Sequence, residues 1–330
     1  MTEKQFLKNL ESPTGKVDVV LDTDAFNEVD DRYAIAYLLK NKDRLNTKAI
    51  YAAPFLSNKL PTTEEGMEKS YDTILEILKL LGENVPVLKG SKTFLKNKVS
   101  HVEHLYRDEF KRPLSEYKGL PSPDSEDMFV DSPAARDLVK RAKNYSPENP
   151  LYVVCISAIT DVASAIMMDG SIVENIVVVW LGGKARHHID AREFNLVQDY
   201  NAIRRVMNSG VPFVQLPCLG VVSHFLISKD EIELHLKGTP IADYLAKETL
   251  DYAQKLGKGD FWADTFYDVA AVAWLINDDQ RFMNYRIENV RLPGLDGFYE
   301  DELPDKKMCY VFYLARNPLA KDLFQKLTEK

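Results

Sequence analysis

At 330 residues, with 45% hydrophobic and 28% charged side chains, the chain can bury a large core and has an ordinary globular composition. A formal net charge of -8 argues against a nucleic-acid or anionic-membrane surface. Met1 to Lys16 is polar and lacks the apolar stretch of a targeting signal, and no apolar run nears membrane-spanning length, so the expected compartment is cytoplasmic.

Val17 to Leu21 is a short β-branched run and reads as a first strand. Asp22, Asp24, Glu28, Asp30 and Asp31 follow, and an amphipathic helix from Tyr33 to Leu39 begins at once. The acids therefore lie on the loop leaving the carboxyl end of a strand, where open α/β sheets build ligand sites. Crowded carboxylates raise one another's pKa unless a cation sits among them. A solvated acidic turn leading a helix is the competing reading of the same spacing.

Thr47 to Ala53 reads as a second strand, with Pro54 to Asn58 as its carboxyl-end loop. Thr62 or Thr63, followed by two glutamates, starts a helix running to Gly82, and Pro86 to Leu88 is a third strand. Residues 90–130 are the least regular part; His101 and His104 there could share a helix face, with solvated histidines the plainer reading. Ser132-Pro133 opens another helix. Strands are expected at Leu151–Ile156, Ile176–Leu181 and Val211–Leu216, alternating with helices at Thr160–Met168 and Asp199–Asn208. The last third reads as helices at Lys229–Leu236, Ile241–Leu256 and Phe266–Ile276, an antiparallel strand pair at Arg286–Leu292 and Lys307–Leu314, and a final helix.

Strands apolar on both faces, alternating with helices, predict an α/β fold: a doubly wound, mostly parallel sheet flanked by helices, with extra C-terminal helices. No linker, repeat or composition break divides the chain, so residues 1–330 are expected to form a single domain. Cys155, Cys218 and Cys309 are far apart, form no metal-ligand pair, and read as free thiols.

Asp22-Thr23-Asp24 and Asp30-Asp31 match both ends of a known signature, an apolar strand running into Asp-Thr-Asp-Pro-Gly-x-Asp-Asp and a helix. On these residues the chain resembles the inosine–uridine nucleoside hydrolase family, with a middle two residues longer, Ala-Phe-Asn-Glu-Val. Three further stretches extend the resemblance in the right order. Ile156-Ser-Ala-Ile-Thr160-Asp-Val-Ala is similar to x-Gly-Pro-Leu-Thr-Asn-x-Ala, though a strand and a Thr-capped helix would read the same. Trp180-Leu-Gly-Gly183 with Glu193-Phe-Asn195 and Asp199 resembles Met-Gly-Gly followed by Glu-Phe-Asn, with an acidic strand-to-helix loop as the plain alternative. Tyr267-Asp268-Val-Ala-Ala-Val-Ala resembles His-Asp-Pro-x-Ala-Val-Ala, where a helix N-cap is the alternative for Asp268.

The resemblance implies metal-dependent hydrolysis of the N-glycosidic bond of a ribonucleoside or related ribosyl compound. It implies Asp24, Asp31, Asp268 and the backbone carbonyl of Ile156 as metal ligands, and Asp24 as the base that takes a proton from water. An all-oxygen set favours Ca²⁺, with Mg²⁺ next. The implied substrate contacts are Asp30, Asn58, His187, Glu193, Asn195 and Tyr267, and Trp262, close to Tyr267 in sequence, could stack on a base, with a core aromatic as the plain alternative. Glu193 and Asn195 would point the same way from an extended segment. The side chains of His187 and His188 would diverge. Asn27 and Glu28, in the lengthened loop, receive no definite role. Phe55 and Tyr267 stand where the family has Asn and His, which points to an altered pocket or a non-catalytic ribosyl- and metal-binding homologue. The expected partner is a small nucleoside, with neither nucleic acid nor membrane, and a homo-oligomer is compatible with the sequence. The rival enzyme class is a haloacid-dehalogenase-like phosphatase with Asp22 as nucleophile.

Overall fold

The computed structural model describes residues 1–57, 60–95, 128–294 and 297–329. Its centre is an eight-stranded sheet of strands β1 (Val17–Thr23), β2 (Leu45–Ala52), β3 (Val87–Lys89), β4 (Leu151–Cys155), β5 (Ile176–Leu181), β6 (Phe213–Leu216), β9 (Met283–Pro293) and β10 (Tyr299–Leu314). They run in the order β3-β2-β1-β4-β5-β6-β10-β9. Every neighbouring pair is parallel except β10 with β9, which form the expected antiparallel ribbon. The order reverses between β1 and β4, so the crevice outside their carboxyl ends is the topological switch point.

Successive side chains along a strand face opposite sides of a sheet, and here both sides are covered. Val19, Leu21, Val154, Val177 and Val179 belong to one core, and Val20, Val153, Cys155, Val178 and Trp180 to the other. The first core is closed by helices α2 (Asp30–Lys40), α3 (Thr63–Leu81), α8 (Lys229–His235), α9 (Pro240–Lys255), α10 (Val269–Trp274) and α11 (Arg316–Thr328). The second is closed by α4 (Pro133–Ala142), α5 (Thr160–Met168) and α7 (Tyr200–Asn208). Helices on both faces of a mainly parallel sheet are the doubly wound arrangement that the alternation predicts.

Several details differ from the sequence reading. An N-terminal helix, α1 (Glu3–Asn9), capped by Thr2, was hidden by its polar composition. The helix expected over Phe266–Ile276 is shorter, because Ala263–Thr265 is a strand (β8) paired antiparallel with Leu226–Ser228 (β7), and Phe266 N donates to Phe225 O at 3.1 Å. Thr160 does not cap α5; it is the first helical residue, and its hydroxyl donates to Asp199 Oδ2 at 2.7 Å. His101 and His104 lie outside the described residues.

Asp161 ties three elements together beneath the carboxyl edge. Its Oδ1 accepts from Ser91 N at 2.9 Å, Ser91 Oγ at 2.7 Å and Ser132 Oγ at 2.6 Å, joining the end of β3, the cap of α4 and the start of α5. Removing one acceptor strands several buried donors at once. Asp161→Ala is expected to cost about 3 kcal/mol of stability, read as a lower midpoint in urea unfolding with an unchanged slope.

Candidate functional site

At the switch point a cavity of about 210 Å³ opens, lined by residues from four carboxyl-end loops and from the turn before α10. Asp24 and the lengthened loop follow β1, Ile156 follows β4, and Arg192 to Asn195 follow β5. Cys218 and Leu219 follow β6, and Tyr267 and Asp268 precede α10. A cavity of this size suits one small molecule rather than a polymer. A larger hollow, about 740 Å³, lies elsewhere between Lys40, Glu83 and Thr239, but its lysines already pair with acids or carbonyls.

The acids at the floor are almost dry. Asp30 and Asp31 sit in the first turn of α2, whose amide dipoles favour negative charge. One ligand atom from each of Asp30, Asp31 and Asp268 lies within 4.8 Å of the others. Asp268 stands at the N-cap position of α10, yet its carboxylate makes no capping bond. Asp31 Oδ1 accepts from Thr23 Oγ1 at 2.5 Å, which fixes its rotamer. Asp30 Oδ2 accepts a long bond, 3.4 Å, from Asp268 N. Asp24 is 2% exposed, and its Oδ2 has no hydrogen-bond partner.

Such crowding shifts the acids in one direction. Burial, then the charge of Asp31, pushes Asp24 well above the usual carboxylate range. Burial, then Asp30, Asp31 and Asp24, does the same to Asp268. Asp30 is raised by burial, Glu28 and Asp31. Asp31 is pushed up to about 7 by burial, against the pull of its bonds to Thr23 and Asp268. Without a counter-charge these groups hold protons near neutrality. The cluster therefore fits a hard divalent cation: buried carboxylates, an orphaned oxygen on Asp24 and oxygen-only donors. Among the described residues, the carboxylates with ligand atoms within 4.8 Å of one another are those of Asp30, Asp31 and Asp268, so Asp30 is placed for an ion along with the expected Asp31 and Asp268.

The cavity brings together Asp24, Asp30, Asp31, Ile156, Glu193, Asn195, Tyr267 and Asp268 from the sequence reading. His187 and Trp262 do not line it. His187 is exposed on a turn, its ring 4.8 Å from that of His188 rather than diverging from it. Trp262 borders a separate surface hollow with Lys229 and Gly257. Asn58 lies outside the described residues. Phe55 is 1% exposed and packs on Gly66 instead of facing the cavity. Glu193 and Asn195 are not on an extended segment: Glu193 caps the short helix α6 (Phe194–Gln198), and Asn195 lies in its first turn. Asp22 is fully buried and outside the cavity, with Cys155 Sγ as its neighbour, so a phosphate could not reach it as nucleophile.

Sequence reading gave no role to Arg192, Phe194, Cys218 and Leu219, which also line the cavity. Their one signal was position, since each follows an apolar strand at its carboxyl end. Asn27 and Glu28 line it too, which answers where the two-residue extension goes.

The profile of the inosine-uridine preferring nucleoside hydrolase family matches residues 19–302. Among solved structures, a plant nucleoside hydrolase, PpNRh1, superposes with a TM-score of 0.70 at 18% identity, over 96% of this chain and 100% of that one. The purine-preferring ribonucleoside hydrolase from Gardnerella vaginalis gives 0.67 at 19% identity, over 94% and 98%. The type III effector XopQ, solved with adenosine diphosphate ribose, gives 0.67 at 16% identity, over 99% of each chain. These likenesses establish a shared fold. No curated protein matches the sequence.

Repulsion among the acids makes two measurements move oppositely. Asp31→Asn should raise the melting temperature of the metal-free protein while weakening Ca²⁺ binding more than about tenfold, by calorimetry. A carboxyl whose folded pKa is raised lends stability below its unfolded value and loses it as pH climbs through the folded one. The metal-free protein should therefore lose stability between about pH 4 and pH 7, and saturating Ca²⁺ should flatten that slope.

Proposed function

The chain belongs to the inosine-uridine preferring nucleoside hydrolase family, and from that premise we propose that it hydrolyses the N-glycosidic bond of a ribonucleoside or related ribosyl compound. The observation that supports this most is convergence: Asp24, Asp30 and Asp31 meet Asp268, more than 230 residues away in sequence, in one cavity at the switch point.

Asp24, Asp31, Asp268 and the Ile156 carbonyl, with Asp30 beside them, would hold Ca²⁺, or Mg²⁺ in its place. A bound cation would neutralise the acids, grip a sugar diol and acidify water held beside them. Asp24, whose Oδ2 is uncommitted to any protein donor, takes the proton from the attacking water. Glu193 and Asn195, which line the same cavity, hold the sugar. Asn195 is itself held, its Nδ2 donating to Leu181 O at 3.1 Å. Positive charge developing on the sugar ring is stabilised by the surrounding carboxylates. Leu181, Phe194, Leu219 and Tyr267 give apolar and aromatic surface against which a base can pack and from which water is excluded.

The same reading takes residues 1–330 as one domain that works on small ribosyl molecules in the cytoplasm. A non-catalytic homologue would bind metal and ribose but release no sugar from any substrate offered. The deciding experiment is reducing-sugar release from inosine, uridine and ADP-ribose, with and without a chelator. Release is expected with metal only, and Asp24→Ala should lower it about a thousandfold while ribose binding partly survives. Equal rates for Asp24→Ala and wild type would overturn the assigned base.

A further inference from the structure

The cavity carries more negative charge than one metal ion can offset. Among the described residues, six acids (Asp24, Glu28, Asp30, Asp31, Glu193 and Asp268) and a single basic side chain, Arg192, line it. That guanidinium does little to balance them, because it is already paired with Asp190. Its Nη2 lies 3.4 Å from Asp190 Oδ2, and the Arg192 backbone N donates to Oδ1 at 2.9 Å. A divalent ion on the floor answers two charges and leaves the remainder facing whatever enters. Asp24 adds a more specific sign: it lines the cavity, and its buried Oδ2 accepts from no protein donor.

Two further features set the chemistry of that excess. Glu28 is exposed at the wall rather than buried on the floor, and the loop carrying it is fixed. Asn27 N donates to Asp24 O at 2.8 Å, and Phe26 N to Ser70 Oγ on α3 at 3.3 Å. The half-buried side chains of Phe194 and Tyr267 line the same cavity. Carboxylates and aromatic faces in one small cavity hold a flat cation twice over, by charge and by the ring quadrupole. Tyr267 stands where the family has His. A phenol presents a π face and never a positive charge, whereas an imidazole can become a cation that repels another.

Resting on the hydrolase reading above, we propose that the preferred substrates are ribosides whose base carries a positive charge, recognised by Glu28 and the aromatic side chains of Phe194 and Tyr267. Their hydrolysis balances without an acid on the leaving side. The water oxygen bonds to the anomeric carbon, and the water proton passes to Asp24. The electron pair of the broken C–N bond cancels the charge on the base, which departs neutral. An uncharged base departs as an anion unless a proton reaches it. Uncharged ribosides are therefore poorer substrates, and anionic ones such as ADP-ribose are poorer still.

The test measures kcat and KM near neutral pH in Ca²⁺ for two matched pairs. One is 1-methyladenosine, a cation under these conditions, against adenosine; the other is nicotinamide riboside against its uncharged dihydro form. Wild type should prefer the cation of each pair by about a hundredfold or more in kcat/KM. A cationic base is also intrinsically the better leaving group, so Glu28→Gln isolates recognition and should cut the preference about fivefold, through KM. Binding without turnover gives a second reading. With Ca²⁺ and ribose present, 1,9-dimethyladeninium should bind about fivefold more tightly than 9-methyladenine by calorimetry, less so in Glu28→Gln and in high salt. Equal affinity for these two probes, or a preference that Glu28→Gln leaves unchanged, would overturn the proposal while sugar release still upheld the hydrolase reading. Tighter, Glu28-dependent binding of the cation with no sugar released from any riboside would sink the hydrolase reading and leave recognition of a cationic base standing.

Discussion

Everything at the carboxyl edge of the sheet answers to one constraint, the repulsion among Asp30, Asp31 and Asp268. At an effective dielectric of about 20, two like charges about 4 Å apart repel by about 4 kcal/mol. Three such pairs would rival the whole stability of a domain, about 5–15 kcal/mol. The protein cannot hold three ionised carboxylates this close and dry without a compensating charge. Protons or a cation must supply it. The rise of Asp31 to about 7 is the proton solution, and it is the one a divalent ion would replace.

Rigid surroundings keep the acids from relaxing apart. The α2 residues from Tyr33 to Leu39 are buried, as is every residue of α10, so neither helix can shift without repacking the larger core. β1 and β4 are central strands, and Ile156 N donates to Asp22 O at 2.9 Å, which carries their pairing one residue past the end of β4. Loops are therefore short where the acids must be fixed. The longer excursions, between β5 and α6 and after β6, carry Arg192 to Asn195, Cys218 and Leu219, the part of the cavity lining where adjustment is tolerable.

The sheet and its helices were legible in the sequence because their signals are local. Two-sided apolar runs such as Ile176–Leu181 can only be interior strands, and α2, α5 and α7 fall close to their periodic patterns. The acidic cluster was legible too, since five acids in ten residues after an apolar strand are hard to solvate all at once. What stayed hidden depends on contacts distant in sequence. The β7–β8 pair joins Leu226–Ser228 to Ala263–Thr265, segments too short to announce themselves. His187 rests on motif alignment and Trp262 on nearness to Tyr267 in sequence, and both fix an order along the chain but not which side of a turn a ring occupies. Cys218 carried no motif at all, and only the meeting of two loops, Cys218 N donating to Gly183 O at 3.0 Å, brings it to the cavity.

The lengthened loop after β1 follows from the same electrostatics. A shorter link would join Asp24 to Asp30 with little beyond backbone between them, whereas this one adds Asn27 and Glu28 to the cavity wall. Glu28 is exposed, and its charge raises Asp24, Asp30, Asp31 and Asp268 alike. An additional negative charge at the mouth makes the metal-free cluster harder to ionise and rewards a cation more strongly once it arrives. It therefore couples ion capture to the field of the entrance rather than to ligand count alone. Placed at the solvent edge, that carboxylate exerts its influence without the desolvation cost that a further buried acid would carry.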